Sequence, residues 1–352
     1  MRTLCEKDGY DLPAWADPEK TNHGCGLAQI LGCEESIRKD GYRNKVEFSI
    51  GVSKDEEEET EKDSKAEGVS AENFSKLPVS YVKTDDSEGI KRSPKETENL
   101  EVGFIKGMLP SNEQVVGNPE QVPHTPEPLK RIARILKDCV KESGLPIYRR
   151  NRNFRDGFWR MVMARVVDTK FDDPRENADG KKGPLKVIKE EDFAKQPILL
   201  LVQFTTIADD KAIECIGDLL IEHFVVRNKH LVNVCGISVQ FNDALSDAIT
   251  TDGSALDLSR MEKYHVPLEN SIKPLSEEQL ASHKNYFEQE FLPKQGKPDF
   301  SKAHSTKTVM LNLYGKSELE MPLCGLRFGV GPLSFFQTNS VMTERLYSKA
   351  FE

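Results

Sequence analysis

An α+β fold, a mainly antiparallel sheet with packed helices, follows from three observations on these 352 residues. Short runs alternate apolar and polar side chains, helical stretches with one apolar face lie between them, and long charge-rich segments interrupt both.

Residues 1–32 are Gly-rich and polar without sustained periodicity and read as an irregular lead-in to a central region, 33–330. Tyr42 to Val52 then alternates, with Val46, Phe48 and Ile50 opposite Lys45, Glu47 and Ser49, which is the pattern of a half-buried strand. Residues 55–101 hold fifteen acidic and seven basic side chains, too much charge to offset the entropy of ordering, so 54–101 is expected to be a disordered insertion. Val102 to Lys106 and Gln114 to Val116 flank Pro110-Ser111-Asn112 and predict a hairpin.

A helix follows, with Thr125 as N-cap and Pro126 at its first position; Leu129, Ile132, Ile135, Leu136, Cys139 and Val140 form its apolar stripe, and Ser143-Gly144 ends it. Trp159 to Val167 and Pro197 to Phe204 read as strands around a solvated insertion, 168–195. Lys211 to Val226 repeats helical spacing and Leu231 to Phe241 alternates again. Residues 243–305 read as a third insertion apart from a weak helix near Glu277 to Phe291, and Thr308 to Tyr314 and Leu323 to Val330 supply the last strands. A final helix places Met342, Leu346 and Ala350 on one side.

Composition excludes several classes. The formal charge of −9 is largely that of residues 55–101, which contribute −8 and leave the remainder near neutral. No run of eighteen apolar residues occurs, and Met1 to Trp15 lacks the apolar centre of a secretory leader, which predicts a soluble intracellular chain with no membrane partner. Seven scattered cysteines form no C-x-x-C and seven histidines show no ligand spacing, so neither a disulfide framework nor a metal site is expected. Gly325, Gly329 and Gly331 lack the spacing and the following lysine of a phosphate loop.

The segment with most chemical content is Phe335-Phe336-Gln337-Thr338-Asn339. Two aromatics and two amides at the mouth of a helix supply stacking surface and hydrogen-bonding groups for a flat ligand, although a core aromatic pair with an Asn N-cap explains the same residues. Arg149 to Arg155 gathers four arginines and Phe154, the composition of an RNA-contact patch or of a solvated loop.

Gly331-Pro332-Leu333-Ser334-Phe335-Phe336-Gln337-Thr338-Asn339 resembles the S-P-x-x-F-F-Q-x-N element of the RNA 5-methyluridine methyltransferase family, with Gly331 in place of the family's serine. Tyr42-Arg43-Asn44-Lys45, Val102-Gly103-Phe104 and Gly157-Phe158-Trp159-Arg160 to Arg165 resemble further family strands in the right order, and the likeness is greatest to eukaryotic transfer-RNA members. The resemblance implies S-adenosylmethionine-dependent methylation of uridine C5 in RNA, with transfer RNA as partner. It assigns Gln337 to the cofactor's polar end and Phe335 and Phe336 to the cofactor and target base. Arg43, Lys45, Glu47 and Arg165 fall to the RNA side, where a solvated sheet face is the plainer alternative; Trp159 also reads as a core anchor.

Family members add a cysteine thiolate to C6 and remove the C5 proton with a glutamate. Both lie beyond the F-F-Q-x-N element, with an Asp-Pro-Pro segment and a Ser-Cys-Asn-Pro turn that these 352 residues do not contain. The expectation is therefore no catalytic residue here, with 331–352 as the first helix of a Rossmann-like domain and the chain inactive alone. Cys25 and Cys33 are too few for the iron–sulfur cluster of some bacterial relatives. A non-catalytic RNA-binding module derived from the family is the alternative, and a purely structural protein a third.

Overall fold

Alternation along the strands sorts their side chains between two unlike faces of one mixed sheet. The computed structural model describes residues 35–36, 38–53, 99–108, 114–150, 155–167, 192, 194–207, 209–242, 255–256, 272–295 and 309–351. Of its two units, Arg38–Glu352 holds nearly all of these; Met1–Ile37 contributes only Glu35 and Ser36, and the expected lead-in lies outside the described residues.

The strands are β1 (Lys45–Val52), β2 (Leu100–Met108), β3 (Gln114–Gly117), the short ribbon β4 (Arg149–Arg150) and β5 (Arg155–Asp156), β6 (Trp159–Val166), β7 (Pro197–Phe204), β8 (Asn233–Phe241), β9 (Ala255–Leu256), β10 (Val309–Gly315), β11 (Leu319–Leu323) and β12 (Leu326–Val330). Eight of them form the main sheet in the order β2-β3-β1-β6-β7-β8-β10-β9. Antiparallel pairing predominates, but β7 and β8 run parallel, joined by a helical crossover.

One face is apolar. Val46, Phe48 and Ile50 of β1, Val162 and Ala164 of β6, and Ile198, Leu200 and Val202 of β7 meet Leu129, Ile132, Leu136 and Val140 of helix α1 (Glu127–Ser143) and Ile213, Ile216 and Leu220 of helix α2 (Asp210–Ile221). Each large side chain buried there contributes about 1.5–3 kcal/mol by leaving water. The helix expected to be capped by Thr125 starts one residue later: Pro126 is the N-cap and Pro128 lies in the first turn, both prolines falling where a backbone N–H is not required. Asp209 caps α2 by accepting from the Ala212 N–H, and α2 continues as π-helix over Glu222–Arg227.

Trp159 is a core anchor. It is fully buried, its ring centroid lies 4.4 Å from that of Phe204, and its Nε1 donates to Ser143 Oγ at 3.1 Å. Gly157 turns the chain into this strand at φ 82°, and a Cβ there would sit 1.8 Å from the Ile147 carbonyl oxygen. Only glycine fits.

One expectation holds and one is corrected. The helix expected near Glu277 to Phe291 is present: helix α3 (Glu277–Asn285) opens with a Ser276–Gln279 capping box, continues through Tyr286–Phe291, and buries Tyr286, Phe287 and Phe291. The Phe291 ring centroid lies 5.3 Å from that of Phe158, so aromatic burial offsets the cost of ordering the polar part. Leu323 to Val330 is not one strand but half of the β11–β12 hairpin, turning at Cys324 and Gly325, both with positive φ. Positive φ at both turn residues matches the twist of the flanking strands. The insertion expected at 54–101 lies outside the described residues up to 98, as does most of 168–195.

The sheet's second face is more polar, with Gln203 bonded to Gln240 at 2.9 Å. On it the β11–β12 hairpin packs Leu319, Met321 and Val330 against Leu199. That packing places the segment after β12 beside the start of β1.

Candidate functional site

The segment 331–340 is built from its own turn and from two residues of the main sheet. The Ser334 N–H donates to the Gly331 carbonyl at 3.2 Å, and Ser334 Oγ accepts from the Gly331 N–H at 3.2 Å, closing a turn with Pro332 at its second position. Arg165 Nη2 donates to the Ser334 carbonyl at 2.8 Å. Asn44 then takes the next stretch: its Nδ2 donates to the Gln337 carbonyl and to Ser340 Oγ, each at 2.8 Å, and its backbone N–H donates to the Thr338 carbonyl at 2.9 Å. Asn339 Oδ1 accepts from the Met342 N–H at 3.2 Å, capping helix α4 (Ser340–Phe351).

These bonds hold backbone and leave side chains outward. Phe335 is 86% exposed and Gln337 is exposed, whereas Phe336 is half-buried against the hairpin cluster, its ring centroid 6.3 Å from that of Phe328. The core-pair explanation therefore holds for Phe336 and fails for Phe335. Helix α4 buries Ser340 and Thr343 and exposes Leu346 and Tyr347, so the apolar stripe read from the sequence faces outward.

Three of the expected RNA-side residues meet at one place. Lys45 is the cross-strand partner of Arg165 and pairs with Glu47 at 2.7 Å, and the Glu47 carboxylate acts electrostatically on Arg165. Arg165 itself is fully buried, so its guanidinium meets the loop rather than solvent; burial pulls it down to about 10, with Glu47 opposing, and it stays charged at neutral pH. Its Nε and Nη1, and Asn44 Oδ1, are buried and meet no hydrogen-bond partner among the described residues. An unmet buried polar group costs about 1–3 kcal/mol. Arg43 stands apart: its N–H donates to the His124 carbonyl at 3.2 Å, and burial, then the Arg43 charge, hold His124 below the ordinary range.

Asn44 was missed as a site residue, although it sits inside the Tyr-Arg-Asn-Lys string. Of the described cysteines, burial pushes the Cys139 and Cys235 thiols up, Cys215 is buried, and Cys324 is exposed at the hairpin turn with its N–H on Glu344 Oε1 at 2.7 Å. Among the described residues no cluster of three His, Cys, Asp or Glu suits a metal, and no helix is long and apolar enough to cross a membrane. The arginine patch 149–155 lies mostly outside the described residues.

No family model matches the chain. A stretch of 51 residues is 47% identical to an uncharacterized RNA methyltransferase of Caldanaerobacter subterraneus subsp. tengcongensis, covering 13% of this chain and 11% of that protein. Among solved structures, the Pyrococcus abyssi tRNA (uracil-54, C5)-methyltransferase in complex with S-adenosyl-L-homocysteine aligns with 12% identity and a TM-score of 0.38, over 90% of this chain and 41% of that one. The sequence match likens 51 residues of this chain to an RNA methyltransferase, and the chain covers 11% of that protein's length.

Proposed function

We propose that these residues form the RNA-side domain and the first part of the cofactor site of a transfer-RNA uridine-C5 methyltransferase. The carrying observation is the outward display of Phe335 and Gln337 on a backbone pinned beside Lys45 and Glu47. An exposed ring offers a face to a base, and an exposed amide offers both a donor and an acceptor.

S-adenosylmethionine supplies the methyl group when bound. The buried Asn44 Oδ1 and Arg165 donors beside an exposed amide fit a polar ligand at this place. Gln337 would hold the cofactor's polar end, Phe335 would stack on the target base or the cofactor, and Lys45 would meet RNA phosphate. Phe336 anchors the loop on the hairpin. Cys215, the described cysteine beside a histidine, is buried in the apolar core with α2 and not at the loop, so the proposed role of the described residues is binding and orientation.

Incubating the purified chain with transfer RNA and methyl-labelled S-adenosylmethionine tests this. Binding of both without incorporation is expected; incorporation above a heat-killed control contradicts the absence of catalysis. Salt-dependent transfer-RNA binding with no cofactor binding would select the non-catalytic RNA-binding alternative.

A further inference from the structure

We propose that Asn44 and Arg165 are positioning residues: from adjacent ends of β1 and β6 they clamp the backbone of 334–340 so that Phe335 and Gln337 stay presented to ligand. The proposal rests on the reading of that loop as a donor site and adds what sets its geometry.

Four points of the loop are held, and all four are held by these two residues. Arg165 takes the Ser334 carbonyl, while Asn44 takes the Gln337 and Thr338 carbonyls and the Ser340 hydroxyl. The two are neighbours in the sheet: the Val166 N–H donates to the Asn44 carbonyl at 2.9 Å, and Lys45 lies across from Arg165. Both are at most 1% exposed, so their rotamers are fixed by packing. Phe335 and Phe336 lie between the two prongs. The span is short enough that fixing its ends fixes which ring faces out.

The chemistry at position 44 is specific. An amide brings two N–H donors, and both are used on oxygen acceptors of the loop. Aspartate, of equal size, would set a carboxylate against a carbonyl and a hydroxyl and reverse one contact. Arg165 also joins the loop to the RNA-side strand, because Glu47 is its charged neighbour. A ligand that draws Glu47 away would alter the guanidinium that holds Ser334.

The test uses the full chain with Asn44→Ala, Asn44→Asp and Arg165→Met, and with Ser340→Ala, which removes one acceptor without touching the sheet. Amide hydrogen exchange is followed in peptides covering 331–343 and, as reference, 197–204, alongside S-adenosylhomocysteine affinity by calorimetry. Loop exchange is expected to quicken by about tenfold or more in Asn44→Ala and Asn44→Asp, and less in Ser340→Ala, with the reference unchanged. Affinity should fall by a similar factor, which a merely structural role would not move. Wild-type loop exchange in both Asn44→Ala and Ser340→Ala overturns the clamp, as does quickened exchange with unchanged affinity. If the wild-type chain binds no S-adenosylhomocysteine, the donor-site reading fails while exchange still decides whether the clamp holds the loop. Should the position-44 and position-165 variants not fold, Ser340→Ala alone decides.

Discussion

Removing the Phe335 ring separates a ligand-binding role from a structural one, because almost none of the ring is buried. At 86% exposure, Phe335→Ala should change folding stability by no more than about 0.5 kcal/mol, the range of ordinary surface substitutions. A base stacked on an aromatic side chain is worth about 1–3 kcal/mol, so loss of the ring should raise the transfer-RNA dissociation constant by about 5- to 150-fold. Its neighbour supplies the control. Phe336 is half-buried against Leu199, Leu319, Met321 and Val330, and Phe336→Ala should cost about 2 kcal/mol of stability, roughly half the value for a fully buried ring. Urea midpoints give the first quantity. Fluorescence anisotropy with labelled transfer RNA, at one fixed salt concentration because phosphate contacts vary steeply with salt, gives the second. An unchanged dissociation constant for Phe335→Ala would refute the reading of this loop as a stacking surface.

Phe291→Ala should destabilise the chain by about 3–5 kcal/mol, since the ring is 1% exposed and stacks with Phe158 and Phe287; a urea-derived loss below about 1 kcal/mol would mean that α3 is not docked on the sheet. Asp218 and then Cys215 hold His283 up to about 9, so its contribution to stability is full below the unfolded value of about 6.5 and is lost as pH rises through about 9. The gap between wild type and His283→Gln should therefore be widest near pH 6 and close above about 9; a gap that does not vary with pH counts against the Asp218 pairing. On the acid side, burial pushes the Glu142 carboxyl up, but hydrogen bonds from Arg227 and His223 outweigh it and hold it low. Its stabilisation is present above the unfolded value of about 4.3 and is lost as pH falls through the folded one, so Glu142→Gln should flatten acid unfolding. His223 adds in the same direction, because burial keeps it neutral when folded and protonation below about 6.5 favours the unfolded chain.

Periodicity made most of the main sheet legible, and it did so where one rule acted alone. Pro197–Phe204 is apolar but for Gln203 and falls on the predicted bounds, and the Ile213, Ile216, Leu220 spacing located α2. It failed where two signals competed. Leu319–Leu323 alternates buried and exposed, but Pro322 inside the run argues against a strand, and Cys324-Gly325 is not one of the usual hairpin dipeptides. In α3 the buried aromatics crowd at Tyr286, Phe287 and Phe291 instead of recurring along the helix, so periodicity located it only as a weak helix, and the capping box at Ser276 marks its start more sharply.

The candidate site divides in the same way. The outward residues proposed for it, Phe335, Gln337, Lys45 and Glu47, came from the resemblance to a known family, which is carried by side-chain identity along the sequence. The role of the residues that hold it was not legible. Asn44 meets its partners 293 and 296 positions away, and nothing local marks which hydroxyl or carbonyl will cover it. Arg165 falls on the charged face by alternation, yet it is buried because a distant turn folds over it. Strand periodicity reports the face to which a side chain belongs, not the element that later closes on that face. A buried arginine and a buried asparagine at neighbouring strand ends are costly unless partnered, and that cost marks the place where a far part of the chain must return.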